Sequence, residues 1–229
     1  MSDLLPDFSP AQKSLLEGYA DAVLKAPASL HLTSAHDRDE FWQRHVLDAI
    51  ALMGLVSPHK NDSRIRVMDV GSGNGVPGIP IAICHPNWIV VMLDSDNKKC
   101  GFIDMFCKLN DVNNARVLAT RAEIAGHEEN REKYELVFAR ALSKLPSSIE
   151  LAGPFVKVGG LLIVPHGTSW QGELDTSQRA ILEIGLKYKE SRPYKIPNGI
   201  EFSALIFEKD RQTPERYPRA VGMPQKRPL

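Results

Sequence analysis

The first part of the chain alternates apolar and polar residues at the spacing of amphipathic helices. Ser9-Pro10-Ala11-Gln12 has the pattern of a capped helix start, with a serine N-cap, proline at the first position and glutamine three residues on. Asp37-Arg38-Asp39-Glu40 has a similar capping pattern and precedes a second apolar stripe. Residues 1–60 therefore predict a helical extension.

From Arg64 the periodicity changes to short, continuous apolar runs, which are typical of buried parallel strands. Five such runs are predicted as strands: 65–70, 88–93, 115–118, 136–139 and 161–164. Helical stretches are predicted between and after them at 79–84, 98–109, 145–155 and 173–186. Alternating strands and helices predict a parallel sheet covered by helices on both faces.

Two further extended segments, 188–194 and 202–209, are joined through Pro197-Asn198-Gly199, and we expect them to form a terminal hairpin with one antiparallel edge strand. Seven strands closed by a hairpin are the Rossmann-like α/β fold of methyltransferases that use S-adenosylmethionine (SAM). We expect three parts: the extension at 1–60, this domain at 61–209, and a basic C-terminal tail at 210–229.

Composition and net charge exclude few classes of binding partner. The chain has 28 Lys and Arg against 28 Asp and Glu, so any nucleic-acid interaction must depend on a local basic face. Cys84, Cys100 and Cys107 lack metal-ligand spacing, which indicates reduced thiols and no metal. No signal peptide and no apolar run of about 20 residues is evident, so we expect a cytoplasmic protein without membrane contact.

The strongest local signal is the stretch Asp69-Val70-Gly71-Ser72-Gly73-Asn74-Gly75-Val76-Pro77-Gly78, a strand that leads into a glycine loop. Glycines allow positive φ and let a ligand approach the backbone. The pattern also fits a dinucleotide fingerprint, so an NAD enzyme is the first alternative. The charge of Asp69 would repel a diphosphate and attract a cationic amino-acid moiety, and Pro77 removes an N–H that phosphates use. The loop therefore favours SAM.

Asp94 follows the second run at about the twenty-residue interval at which an acid reaches a ribose hydroxyl. Both NAD and SAM carry that ribose, so Asp94 supports a nucleoside without choosing between them. Its alternative role is that of an exposed acid capping the helix that contains Lys98.

Several motifs together resemble the RsmG (GidB) family, which methylates guanine N7 in 16S ribosomal RNA. They include Leu32-Thr33-Ser34, Arg44-His45-Val46-Leu47-Asp48, the glycine loop, Leu93-Asp94-Ser95, Arg121-Ala122-Glu123, Arg140-Ala141 and the ending from Tyr217 to Pro224. The helix motif Arg-His-x-x-Asp joined to the glycine loop is far more specific than any glycine motif alone.

This resemblance implies cofactor contacts at Gly71, Val76, Ala122, Glu123 and Arg140; with Asp69, Gly73 and Asp94 from the loop analysis, they make up the expected SAM site. Arg140 suits either the SAM carboxylate or an RNA phosphate, because a guanidinium binds both. A helix cap at Glu123 and a surface ion pair at Arg140 remain alternatives. The expected partner is 16S rRNA or the small-subunit particle.

Guanine N7 has an exposed lone pair and needs no deprotonation, so we expect alignment to drive catalysis without a general base. The sequence Ala139-Arg140-Ala141-Leu142 differs from the Asn/Asp-Pro-Pro-aromatic motif of exocyclic-amine methyltransferases. Two alternatives stay open: a SAM-dependent methyltransferase of a small molecule or protein, and a non-catalytic nucleotide-binding regulator.

Two regions have weaker expectations. His45 and Asp48 lie three residues apart on one helix face, and we expect them to support the cofactor pocket or the RNA entrance. From Lys209 onward, six basic residues against two acids suggest that the tail docks phosphates.

Overall fold

The N-terminal helices begin where the capping patterns place them. The structure, a computed structural model, describes residues 8–56, 64–196 and 199–229. In α1 (Pro10–Lys25) the Ser9 side chain accepts from the Gln12 backbone N–H, and the Gln12 side chain accepts from that of Ser9. In α2 (Arg38–Phe41) Asp37 accepts from the Glu40 backbone N–H. Both predicted helix starts are confirmed.

The second helix contains a turn of unusual width. After α2 a π-helical segment (Trp42–Val46) leads into α3 (Leu47–Val56). Wide turns of this kind often occur at functional sites.

A seven-stranded sheet forms the centre of the molecule, with the strand order β3-β2-β1-β4-β5-β7-β6. The strands are β1 (Arg66–Val70), β2 (Ile89–Asp94), β3 (Ala115–Ala119), β4 (Tyr134–Phe138), β5 (Val156–His166), β6 (Leu186–Lys195) and β7 (Glu201–Lys209). The first five are mutually parallel, as predicted. From β1 the chain adds β2 and β3 on one side of the sheet and then β4 and β5 on the other, so β1 and β4 flank the topological switch point. Ligands bind at such switch points in open α/β sheets.

The closing hairpin differs from the expectation in one respect. Strand β7 pairs antiparallel with both β5 and β6, so the antiparallel strand lies one place inside the edge. The edge strand β6 runs parallel to the first five. Local turn chemistry predicts a hairpin but not which of its strands joins the sheet. Of the predicted turn, Pro197 and Asn198 lie outside the described residues, and Gly199 has a φ of 90°.

Helices cover both faces of the sheet. They are α4 (Gly78–Cys84), α5 (Asn97–Leu109), α6 (Ala122–Ala125), α7 (Leu145–Ala152), α8 (Gln171–Thr176), α9 (Gln178–Ile184) and α10 (Met223–Lys226). The single helix predicted at 173–186 is wrong in two respects: it is interrupted at Ser177, and Leu186 already belongs to β6.

Neighbouring residues of β1 belong to different apolar clusters, because side chains alternate across a strand. Val67 packs in the cluster that also contains Leu16 and Ile50 of the extension, whereas Met68 packs in the cluster of α7 and α9. The extension thus shares a core with the sheet, and the three-part division of the chain stays a prediction. No helix within residues 8–56, 64–196 and 199–229 is both long and apolar enough to cross a bilayer.

Candidate functional site

The glycine loop after β1 is held against the end of β2. The backbone N–H groups of Gly71 and Ser72 donate to the Leu93 carbonyl oxygen over 2.7 and 3.1 Å. Gly71 has a φ of 76°, and a Cβ at this position would lie 2.6 Å from the Leu142 side chain. Two features therefore require glycine at position 71: its backbone is left-handed, and the chain that follows β4 lies too close for a side chain.

Asp94 lies at the end of β2 beside this loop. One carboxylate oxygen accepts from the Gly73 backbone N–H at 2.8 Å, and the other accepts from that of Asp96 at 2.9 Å. The cap of α5 is Asp96, whose side chain accepts from the backbone N–H groups of Lys98 and Lys99. Asp94 is therefore a fixed part of the loop, and the alternative that it caps this helix is wrong.

Two cavities open at this edge of the sheet and share Gly71, Asp94 and Leu142 as walls. The larger has a volume of about 640 Å³, and its remaining lining residues are His31, Leu32, Thr33, Ser34, His45, Ser72, Gly73, Asn74, Val76, Lys99, Arg140 and Ala141. The smaller has a volume of about 190 Å³, and its remaining lining residues are Val70, Leu93, Ser95, Thr120, Arg121, Ala122, Glu123, Leu151 and Gln225. Seven of the eight predicted site residues line one cavity or both.

Asp69 is the eighth, and the structure corrects its expected role. It is 1% exposed and lines neither cavity. One oxygen accepts from the Gly78 backbone N–H at 3.0 Å, and the other has no hydrogen-bond partner among the described residues. Burial raises its pKa to about 7, against the lowering effects of the Gly78 N–H and Arg140. Asp69 thus contacts the backbone that follows the loop from inside the core. The sequence pattern did not show that its carboxyl is turned away from the cavities.

Arg140 enters the larger cavity from the end of β4 and is held by the extension. Its Nε donates to the Asp48 carboxylate at 2.8 Å, and its Nη2 donates to the Arg44 carbonyl oxygen at 3.1 Å. Asp48 is 2% exposed and also accepts from the Tyr194 hydroxyl at 2.8 Å. The ion pair of Arg140 is therefore with a buried acid, not with the surface acid considered from the sequence.

His45 lies against the same arginine. Its Nδ1 is 3.4 Å from Arg140 Nη2, and its Nε2 is 3.4 Å from the Thr33 hydroxyl. Burial, with the positive charge of Arg140 second, lowers the His45 pKa to about 4. The imidazole is consequently neutral at pH 7 and is a weak base.

The Glu123 side chain has a partner that its own neighbourhood in the sequence does not reveal. One of its oxygens accepts from the Gly222 backbone N–H at 2.8 Å, and the residue is 4% exposed. The N-cap of α6 is Arg121, so Glu123 does not cap this helix. Its carboxylate instead joins the C-terminal segment to the wall of the smaller cavity.

The sequence missed Tyr194 and Gln225, which reach the site from distant parts of the chain and which no local signal marks. It also missed Leu142, which lies only two residues after Arg140. Over the part of the chain that the structure describes, no cluster of three or more His, Cys, Asp or Glu side chains could hold a metal ion.

The fold and site together define the class of protein. The seven-stranded sheet with its inserted antiparallel strand, the glycine loop and Asp94 at the end of β2 are those of a SAM-dependent methyltransferase. Solved structures with this fold include TrmN from Thermus thermophilus (TM-score 0.54, 20% identity, covering 70% of this chain and 48% of that one). Another is M. jannaschii TYW2 in complex with AdoMet (TM-score 0.52, 16% identity, covering 66% and 71%).

The particular family follows from the sequence comparisons. The model of the family described as rRNA small subunit methyltransferase G matches residues 12–193. Proteins named ribosomal RNA small subunit methyltransferase G are 35% identical in Thermotoga sp. (strain RQ2), over 97% of this chain and 93% of that protein, and 34% identical in Moorella thermoacetica, over 96% and 91%. This chain belongs to that family, as its motifs indicated.

Proposed function

We propose that this protein transfers the methyl group of SAM to N7 of a guanine in 16S ribosomal RNA. The observation that carries the proposal is the paired cavity at the switch point of the sheet, with Asp94 in the shared wall and the glycine loop beside it. Membership of a small-subunit rRNA methyltransferase family supports the RNA substrate. The choice of N7 depends on the resemblance described above and on the chemistry of the site.

The cofactor-binding residues are proposed from their positions. Asp94 is fixed by two backbone N–H groups and retains lone pairs that can accept from the ribose hydroxyls. Gly71 and Gly73 present backbone to the larger cavity, and Val76 adds an apolar surface. Ala122 and Glu123 form part of the smaller cavity, on the other side of Asp94. This arrangement fits a nucleoside that spans both cavities.

Positive charge in the larger cavity comes from Arg140 and Lys99. Arg140 is already paired with Asp48, so its remaining N–H groups are oriented before any ligand arrives. A fixed guanidinium suits a carboxylate or a phosphate because it binds both through parallel hydrogen bonds. We assign to this residue the SAM carboxylate or the RNA backbone near the target base.

The chemistry requires little from acid–base groups. SAM, when bound, would supply an electrophilic methyl carbon on its sulfonium: the N7–carbon bond would form as the carbon–sulfur bond breaks, S-adenosylhomocysteine would leave, and the positive charge would pass to the purine. N7 loses no proton in this transfer, so the site needs no group to remove one. His45 lines the cavity, but with a pKa of about 4 it is a poor general base at neutral pH. The role left to the protein is to hold the reacting atoms in line.

The cysteines fit no covalent route to a pyrimidine carbon. Cys84 ends α4, and Cys100 and Cys107 lie within α5. Burial raises the pKa of Cys84 to about 12 and that of Cys107 to about 11, so both are protonated thiols at neutral pH.

The test is transfer of isotope-labelled methyl groups from SAM to 16S rRNA isolated from cells that lack this enzyme. We expect one methyl group per molecule, with 23S rRNA and fully modified 16S rRNA as unlabelled controls. Naked RNA and small-subunit particles should be compared, since either form is a candidate substrate in the cytoplasm, where we place the protein. Labelling of a protein or a small molecule instead would contradict the proposal.

A further inference from the structure

The C-terminal segment, residues 210–229, is built into the fold by a buried ion pair. Glu150 of α7 has no exposed surface, and its carboxylate accepts from three N–H groups of Arg219: the backbone N–H at 2.9 Å, Nε at 2.8 Å and Nη2 at 2.6 Å. A buried carboxylate left without these donors is costly, because burial disfavours its charge. Arg219 is thus held by the fold and is not a free cation for RNA.

A second set of contacts fixes the backbone just before Arg219. Arg131 donates to the carbonyl oxygens of Tyr217 and Thr213 over 2.8 and 2.6 Å. Gly126, at the end of α6, lies so close to the C-terminal segment that a Cβ at this position would lie 2.9 Å from the Pro218 ring. The segment therefore approaches α6 along a defined path.

The last part of the segment ends at the smaller cavity. The Gly222 backbone N–H donates to Glu123, and the Ser147 hydroxyl donates to the Pro224 carbonyl oxygen at 2.8 Å. These two bonds hold the ends of the short turn that begins α10, and the next residue, Gln225, lines the cavity. Gln225 is exposed, and within the described residues its carboxamide makes no hydrogen bond.

The position of the smaller cavity indicates which part of a nucleoside it would receive. If Asp94, in the wall shared by both cavities, binds the ribose, the base lies on one side of it and the amino-acid moiety on the other. The larger cavity contains Arg140 and Lys99, which suit the charged amino-acid moiety. The smaller one combines apolar side chains, among them Leu93, Ala122 and Leu151, with polar groups such as Thr120 and Gln225. A planar base has apolar faces and hydrogen-bonding edges, so we place the base in the smaller cavity.

We propose that Gln225 is a specificity-determining residue for adenine, supplied to the cofactor site by the C-terminal segment; this inference depends on SAM being the cofactor. A carboxamide both donates and accepts hydrogen bonds. It therefore matches the N6 donor and N7 acceptor of adenine, a pairing that glutamine also makes with adenine in nucleic acids. One carboxylate oxygen of Glu123 is already bonded to the Gly222 N–H, whereas the carboxamide of Gln225 is exposed at the same wall and makes no such bond among the described residues.

The experiment is calorimetric titration of the full-length protein with S-adenosylhomocysteine and with S-inosylhomocysteine, in which a carbonyl oxygen replaces the N6 amino group. We expect Gln225→Ala to weaken S-adenosylhomocysteine binding roughly tenfold and to reduce the protein's preference for it over the inosine analogue, since a bidentate pair with adenine distinguishes it from a base with a carbonyl oxygen at that position. Lys226→Ala is the matched control, because it changes the adjacent exposed residue, which lines neither cavity.

The outcomes separate this inference from the proposed function. If Gln225→Ala has the same affinity and the same preference as the unchanged protein, the role of Gln225 is overturned. The proposed methyltransferase function does not depend on that result. An unchanged protein that does not bind S-adenosylhomocysteine would overturn both. Because Gln225 is exposed, we expect both variants to keep the thermal midpoint of the ligand-free protein.

Discussion

Asp48 and Arg140 are 92 residues apart in the chain, yet 2.8 Å separates the Asp48 Oδ2 from the Arg140 Nε. The pair joins the N-terminal extension to the end of β4, at the rim of the larger cavity. Tyr194 of β6 donates to the other Asp48 oxygen, so three separate elements meet at one carboxylate. The extension is thereby part of the site and not an appendage to it.

The first prediction concerns this ion pair. We expect Asp48→Asn to lower the free energy of unfolding by about 3 kcal/mol, since removing one partner leaves the other charge poorly compensated. We also expect weaker SAM binding, because Arg140 loses its orientation. Chemical denaturation and calorimetry measure the two effects.

A double-mutant cycle provides the control for this pair. Asp48→Asn combined with Arg140→Gln should be less destabilised than the sum of the single variants by at least about 1 kcal/mol. Strict additivity would show that the two residues do not act together. Tyr194→Phe, which keeps the ring and removes only the hydroxyl, should have a smaller effect in the same direction.

His45 gives a prediction about acid stability. Its pKa is lowered from 6.5 to about 4 in the folded state, so the unfolded chain binds the proton more tightly. The resulting stability is present above pH 6.5 and is lost as the pH falls towards 4. We expect the fall in unfolding free energy over this range to be smaller in His45→Gln by up to about 3 kcal/mol. An identical pH profile in the two proteins would contradict the assignment.

Asp69 should affect stability in the opposite direction. Its pKa is raised from 3.8 to about 7, so the folded state binds the proton more tightly than the unfolded chain. The favourable contribution of the protonated carboxyl is complete below pH 3.8 and is lost as the pH rises through 7. Asp69→Asn should remove this loss, and denaturation curves at pH 5 and pH 8 would reveal it. A variant as sensitive as the unchanged protein to this change of pH would show that Asp69 ionises without cost.

The glycine loop gives a matched pair of variants. Gly71→Ala brings a methyl group to 2.6 Å from Leu142 in a left-handed backbone, so we expect clear destabilisation, on the order of 2 kcal/mol or more. Gly73→Ala meets only the Gly71 carbonyl oxygen, at 3.9 Å, and should cost about 1 kcal/mol while weakening SAM binding at the cavity. Leu142→Ala should partly restore the stability of Gly71→Ala. Equal melting temperatures for the two single variants would contradict this account.

The sequence predicted most of the fold because the strands are continuous apolar runs. The observed β1, β2 and β3 begin or end within one residue of their predicted limits. The start of β5 was missed because Val156-Lys157-Val158-Gly159-Gly160 interrupts the apolar run. Val156 pairs with Tyr134 of β4 and Leu161 with Leu136, so residues 157–160 form an irregularity in the strand that local composition does not encode.

The sequence predicted those site residues whose positions depend on their neighbours along the chain. Gly71, Gly73 and Asp94 lie next to strand ends, so the order of strands and loops was enough to place them together. Asp69 accepts from the Gly78 backbone N–H inside the core, where a Cβ at Gly78 would clash with Met92, and no spacing rule describes this close approach. Arg140 with Asp48, and Glu123 with Gly222, are pairs that only the folded chain brings together.

The C-terminal segment shows the same limit. The six basic residues from Lys209 onward suggested a phosphate-binding tail, yet Lys209 is buried in β7 and donates to the Gly153 carbonyl oxygen at 2.9 Å. Arg211 and Arg216 contact α9, and Arg219 pairs with Glu150. Charge counting identified the residues but not their partners. Phosphate docking stays a prediction for Lys226 and Arg227, whose side chains are exposed.

The central claim, methylation at guanine N7, is tested most directly by the position of the transferred methyl group. N7-methylguanosine has a positively charged imidazole ring, which borohydride reduction and aniline treatment convert into a chain break. Modified 16S rRNA should break at a single guanosine, with the isotope label in that nucleotide. Labelled RNA that stays intact under this treatment would place the methyl group on another atom and contradict the account.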